Sequence, residues 1–231
     1  IARNDVEKAK KSNQNIVFRM GHHSVAEHIL INFDVIGISR YAIEYLEKRR
    51  IGVAYTEKSQ RYITLDGDFV IPEEFSEEDK IRFKKLVEKQ NNFYFKHLEP
   101  LKKYQFEKNP ELAKAANKKK AEGKSDMFNR ELNTLEGWAK EDDRYALCLG
   151  TETQAGVSFN ARTFEHTIRD LRYSEVAEVR ELSEKIYKIG KEIVPSLIKL
   201  ADPEEFEKEF GFPLKEDNYK FTRNKIKEVV T

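Results

Sequence analysis

"HILINFDVIGISRYAIEYLEKRR", residues 28–50, changes its periodicity part-way, and that change decides the architecture. Over residues 28–38 β-branched residues are frequent and the pattern partly alternates, setting Leu30, Asn32, Asp34 and Ile36 opposite Ile29, Ile31, Phe33 and Val35. This predicts a strand with one wetter face. Ser39 then offers a capping hydroxyl to "SRYAIEYLEKRR", where Tyr41, Tyr45 and Lys48 share one side of a helix with Ile43 and Leu46 beside it. Such a helix delivers Lys48, Arg49 and Arg50 at its C-terminal end, where cations suit the helix dipole.

The flanking segments extend the same alternation of strand and helix. Residues 4–20 open on the capping residue Asn4 and close on Gly21, which predicts a helix. "SQRYITL" and "DFVIP" flank Asp66-Gly67, a two-strand hairpin signal. A long charged helix is expected from Ser76 to about Tyr104, followed by a solvated, polar helical excursion over about residues 105–127. "ETQAGVSFN" reads as a strand entering the helix "ARTFEHTIRDLR". "SEVAEVRELSEKIYKIGKEIVPSLIKLA" reads as an amphipathic helix capped by Ser174, and the tail from Pro203 as a short helix. The expected fold is α/β in the loose sense (α+β): a small, mostly antiparallel sheet flanked by long helices. Length favours one domain over residues 1–231, without internal repeats.

Charge is abundant but balanced. Lys and Arg number 42 against 41 Asp and Glu, so the net charge of +1 supplies no global field for a nucleic acid polymer or an acidic membrane. Any anion site must therefore be local. The 36% charged content resembles ion-pair-laced proteins that work hot. One cysteine, Cys148, excludes an intramolecular disulfide and points to a reducing, cytoplasmic setting. No apolar run is long enough for a membrane span. The first residues read as the start of a helix rather than of a protein, which leaves open whether a strand precedes them.

Three constellations can carry chemistry. "GHHSVAEH", residues 21–28, invites a metal reading, but its spacing matches no zinc pattern; a tight connection with ring and hydroxyl groups on nearby backbone is the alternative. "TEKSQRY", residues 56–62, aligns Glu57, Ser59 and Arg61 on one face if extended, either as a ligand-facing row or as a solvated strand face. Arg144, Arg162, Arg169 and Arg172, with Asn160 among them, are either an anion site or surface ion pairs.

Taken together and in order, these segments resemble the flavin-dependent thymidylate synthases over about residues 1–200, excluding the polar excursion. Gly21, His22, Ser24, Glu27 and His28 match that family's opening, and Ser59, Arg61 and Tyr62 its Ser-x-Arg-Tyr element. Arg144 stands sixteen residues before Asn160, where the family places a nucleotide-binding Arg. Departures are equally specific. The Arg-His-Arg signature is Lys48-Arg49-Arg50 if anchored on the preceding helix, with spacing to Ser59 one residue longer than usual, or Arg49-Arg50-Ile51 if anchored on Ser59, and either way an Arg stands for its His; Tyr45 replaces an expected Gln, and one extra residue lies between Arg162 and Arg172.

The resemblance implies reductive methylation of dUMP to dTMP, with methylenetetrahydrofolate or a modified pterin as carbon donor, reduced FAD as hydride source and NADPH as reductant. It implies that Glu57, Ser59, Arg61, Arg144, Arg172 and Tyr45 bind dUMP, with Arg172 stabilising the pyrimidine anion. It assigns His22, Ser24, Lys48, Arg49, Arg50, Asn160, Arg162 and His166 to FAD, no metal, and a homotetramer with shared sites. Cys148, in apolar "ALCLG", is read as a packed residue and not as an attacking thiol. The altered triplet and Tyr45 leave open a relative acting on another pyrimidine nucleotide or carbon donor, or a flavin- or nucleotide-binding protein without catalysis.

Overall fold

The computed structural model describes residues 5–63, 65–123 and 126–211. Its elements run α1 (Val6–Gln14), β1 (Leu30–Ser39), α2 (Arg40–Leu46), β2 (Val53–Glu57), α3 (Glu77–Lys108), α4 (Pro110–Ala121), α5 (Arg130–Asp143), β3 (Glu152–Asn160), α6 (Ala161–Arg172), α7 (Ala177–Ile193) and α8 (Pro203–Phe210). The strands form an antiparallel sheet of order β1-β3-β2, as the sequence led one to expect of a small sheet among long helices. Register follows from the hydrogen bonds at the strand ends. Arg40 N donates to Thr151 O (2.9 Å) and Ala161 N to Ile29 O (2.9 Å) along β1–β3, while Asn160 N donates to Gly52 O (2.8 Å) and Lys58 N to Gln154 O (3.0 Å) along β2–β3.

β1 buries Ile31 and Val35 and exposes Leu30, Asn32, Asp34 and Ile36, the two faces that its alternation predicts, until Gly37 (φ +75°) breaks the alternation and Ile38 is buried. On the open face Ser158 Oγ donates to Asn32 Oδ1 across the strands at 2.6 Å. β3 and α6 have the predicted bounds. Gly21 stops the first helical segment at φ +75°, although the capping carboxylate is Asp5, which accepts from Lys8 N; Asn4 lies outside the described residues.

Several expectations are corrected. β2 ends at Glu57, and Tyr62 N and Ile63 N both donate to Ser59 O, so residues 59–63 turn and do not continue a strand. The hairpin about Asp66-Gly67 therefore does not form among the described residues; Phe69 pairs with Thr151 instead. α2 stops at Leu46, leaving Lys48, Arg49 and Arg50 beyond its end. Residues 105–127 are not merely solvated: α3 continues to Lys108, and α4 packs on α5, with the fully buried Asn129 donating its side-chain amide to Ala116 O at 2.9 Å. α7 starts at Ala177 without a side-chain cap and ends before Pro195, which supplies no backbone donor to a helix. The Ser174 hydroxyl instead accepts from Val176 N at 3.2 Å.

The chain divides into two compact units, Ile1–Phe33 with Tyr45–Ala54 and Val157–Thr231, and Asp34–Glu44 with Tyr55–Gly156. The first is organised by α6 against α7, with Phe33 stacked on Phe164 at 5.0 Å and Phe159 tilted against Phe164 at 5.5 Å. In the second, α3 packs along α5, and Leu65, Tyr94 and Leu98 form a core against Ile63 and Leu147.

One close approach in the first unit requires glycine. Gly52 has φ +74°, and a Cβ there would lie 2.3 Å from both Asn160 Nδ2 and Thr163 Oγ1. The left-handed backbone and the missing side chain are both used. Gly52→Ala is expected to destabilise the protein by about 2–4 kcal/mol, measured by denaturant unfolding, because backbone strain and overpacking act together.

Candidate functional site

The second unit gathers four of the residues singled out above. Glu57, at the end of β2, accepts a hydrogen bond from Thr153 Oγ1 (2.9 Å) and an ion-paired one from Arg40. Ser59 begins the turn and accepts from Arg61 N at 3.3 Å. Arg61, whose guanidinium lies 5.6 Å from the Tyr62 ring centroid, approaches Glu141 Oε1 at 3.8 Å. Arg144, at the C-terminal end of α5, approaches the same oxygen at 3.5 Å. Two guanidiniums far apart in sequence thus converge on one carboxylate. Both distances are longer than a good hydrogen bond, and both side chains keep solvent access, so N–H groups remain to meet a second anion.

α3 holds the end of α5 that carries Arg144. Gln105 Nε2 donates to Asp142 Oδ2 at 2.8 Å. Asp143 is buried with neither carboxylate oxygen hydrogen-bonded, and burial raises its pKa against the opposing charge of His97.

The first unit gathers the other set. Arg49 pairs with Asp170 on α6, and its Nε is buried without a hydrogen-bond partner. Arg162 pairs with Glu27. His166 lies among these charges; burial chiefly lowers its pKa, with Arg49 and Arg169 adding to the shift and Asp170 opposing it. His23, lowered by burial and by Arg162, shares that surrounding. Neutral imidazoles among guanidiniums can donate or accept without adding positive charge. Asn160 caps α6, its Oδ1 accepting from Thr163 N at 2.8 Å, while Thr163 Oγ1 donates to Ile51 O at 3.0 Å and ties the segment after Lys48 to the helix start. Lys48 and Arg50 are exposed there, Arg50 beside Glu47 at 3.3 Å, and His22 and Ser24 are exposed on the short turn between α1 and β1.

Not every expected residue is presented in the same way. Tyr45 is half-buried in the last turn of α2. Arg172 is tied down three times: Nε donates to Glu184 at 3.1 Å, Nη1 donates to Ala201 O, and the guanidinium lies 4.9 Å from the Tyr187 ring centroid. Among the described residues no group of three or more His, Cys, Asp or Glu is arranged to hold a metal ion, and no helix is long and apolar enough to cross a membrane.

Residues 2–196 match the family model described as thymidylate synthase complementing protein. The chain belongs to that family. It is 30% identical over 195 residues to the flavin-dependent thymidylate synthase of Pyrococcus furiosus, covering 80% of this chain and 63% of the relative. The corresponding figures are 28% over 192 residues for that of Geobacter sulfurreducens, with 81% and 67% covered. For that of Sulfolobus acidocaldarius they are 30% over 186 residues, with 79% and 58% covered. The chain therefore spans about two thirds or less of these relatives' own lengths.

Sequence reasoning passed over Glu141, Arg40, Asp170 and Glu165. Glu141 and Arg144 are an acid and a base three apart, a signal readable only once residues 130–143 are recognised as a helix. Glu165 carries no such signal. It is 3% exposed on α6, its Oε1 has no partner, and burial raises its pKa to about 8 against the weaker pull of Arg169 and the Leu200 backbone N–H. A carboxyl that binds its proton more tightly when folded stabilises the fold below about pH 4.5, and that contribution is lost as pH rises through about 8. Glu165→Gln is expected to flatten the decline of Tm between those limits and to exceed the parent at the alkaline end, with up to about 1.4 kcal/mol per pH unit at stake. Thermal melts across that pH series measure it.

Proposed function

We propose that the chain catalyses reductive methylation of dUMP to dTMP, taking the carbon from methylenetetrahydrofolate or a related reduced pterin and electrons from NADPH through FAD. The observation that carries this reading is the convergence of Arg61 and Arg144 on Glu141 Oε1 beside Ser59. A nucleoside monophosphate needs two charge-assisted forks for its dianion and fixed polar groups beside them. Arg61 and Arg144 supply the forks. Glu57 and the Ser59 hydroxyl supply acceptor and donor functions.

The donor set of the first unit fits an FAD pyrophosphate. Arg49 Nε is a buried donor lacking an acceptor, and Lys48, Arg50 and Arg162 add cations near it in sequence or along α6. His22, Ser24, Asn160 and His166 complete the proposed flavin contacts. Bound FAD supplies the hydride chemistry. The chain's task is to hold the anions, exclude water and offset negative charge developing on the pyrimidine carbonyls. Arg172 is proposed for that last role, which requires its guanidinium to leave Glu184 and the Ala201 carbonyl. We further propose a cytoplasmic homotetramer whose copies share active sites, since paired forks from several chains neutralise phosphate more completely than one.

Purified protein is expected to be yellow, to oxidise NADPH faster on addition of dUMP, and to release tritium from C5-labelled dUMP when methylenetetrahydrofolate is present. Arg144→Ala and Ser59→Ala are expected to raise the Kd for dUMP by about tenfold or more, a loss of one to two charge-assisted contacts, with FAD still bound. Unchanged dUMP affinity in both variants refutes the nucleotide assignment. Flavin reduction without tritium release favours the non-catalytic or altered-substrate reading that the Lys48-Arg49-Arg50 triplet leaves open.

A further inference from the structure

One face of α5 forms the wall of a cleft of about 410 Å³ within the second unit, closed on the other side by the Arg61-Tyr62 turn. The wall carries Arg130, Thr134, Trp138 and Glu141, and Phe128 stands at its rim. Gly137 forms part of the floor; a Cβ there would meet Arg61 O at 3.6 Å, so the helix surface is bare where the turn passes over it. Two aromatic residues and a methionine line this cleft while largely exposed, Tyr62 at 68%, Met127 at 73% and Phe128 at 72%. Exposed rings and a thioether gathered about one concavity indicate a flat apolar group as occupant.

The two ends of the cleft differ in charge. At one end lies Glu141 with Arg61 and Arg144, the proposed phosphate site. At the other end Arg130 starts α5, and α4 comes close by through Lys119, which pairs with Glu131, and through the buried Asn129, bonded to Ala116 O, with Lys118 and Lys120 on either side of Lys119 in sequence. Lys119 cancels Glu131, leaving Lys118, Lys120 and Arg130 against Asp126 and Glu122, the latter reaching Lys118 only at 4.0 Å, an excess of one positive charge. From Arg130 to Glu141 the helix advances about 16 Å at 1.5 Å per residue.

We infer that this cleft holds the aryl-polycarboxylate tail of the one-carbon donor, the flat aryl ring against Phe128 and Trp138 and the carboxylates running out past Arg130 to the lysines of α4. This rests on the proposal that a reduced folate supplies the carbon. The donor must present its reactive group beside the nucleotide, and the cleft starts there and leads away along a path that grows more positive. Charge along the path then selects donors by tail length.

Trp138 is the chain's one tryptophan, so its emission reports the cleft without reference to turnover. Titration of the flavin-loaded protein with p-aminobenzoyl-pentaglutamate and p-aminobenzoyl-monoglutamate is expected to perturb that emission with both. The longer tail should bind about tenfold more tightly, a preference that shrinks with added salt. Arg130→Gln combined with Lys118→Gln and Lys120→Gln should erase the length preference, whereas Phe128→Ala should weaken both probes alike. A dUMP titration of each variant confirms folding. Absence of a Trp138 response, equal affinity for both lengths, or an intact preference in the triple variant overturns the inference. If dTMP forms under any of those outcomes, the proposed function stands without this cleft. If the tails bind with the predicted preference but no dTMP forms, the cleft stands and the reaction assignment falls.

Discussion

Asn160 joins three parts of the first unit through one residue. Its backbone N–H ends the β2–β3 ladder on Gly52 O, its side chain caps α6, and it sits where Gly52 has no Cβ. Helix starts leave backbone donors unsatisfied, and an Asn side chain accepting from the third helical residue satisfies one of them at the position where strand becomes helix. The consequence reaches the cationic segment: Thr163, in the same first turn, holds Ile51 O, so Lys48, Arg49 and Arg50 emerge from a chain fixed within a few residues of them. Arg49 then meets Asp170 two turns further along α6.

Glu141 plays a comparable part in the second unit by different physics. Arg61 comes from a turn after β2 and Arg144 from the end of α5, and without an anion between them two guanidiniums would repel. A single carboxylate keeps them together at ion-pair distance without consuming their hydrogen-bonding capacity. Asp142, held by Gln105, attaches this end of α5 to α3, so Arg144 stands on a helix end that is itself anchored.

Both units carry buried acids at a cost. Asp143 and Glu165 each retain unpartnered oxygen atoms, and burial raises both pKa values, which is the cheaper outcome when a carboxyl cannot be hydrated or fully paired. Each lies next to a residue with a proposed ligand role: Asp143 precedes Arg144, and Glu165 precedes His166. Stability is thus spent beside the candidate sites and next to the apolar cores: Phe164 precedes Glu165 on α6, and Tyr94 on α3 feels the charge of Asp143.

The sequence by itself determined the elements whose causes are local. The alternation of residues 30–36 set the two faces of β1, the strand-to-helix switch at Asn160 set the bounds of β3 and α6, and Ser76 set the start of α3. The order of short polar motifs was equally legible, because side-chain type and spacing survive any packing. Only the tertiary structure decided what depends on partners distant in the chain. Phe69 pairs with Thr151 and not with a hairpin neighbour. α4 is ordered because α5 covers Ala116, and Arg61 and Arg144 meet because Glu141 lies between them. Local propensity acts over a few residues, whereas burial and charge pairing act between any residues that the fold brings within a few ångströms.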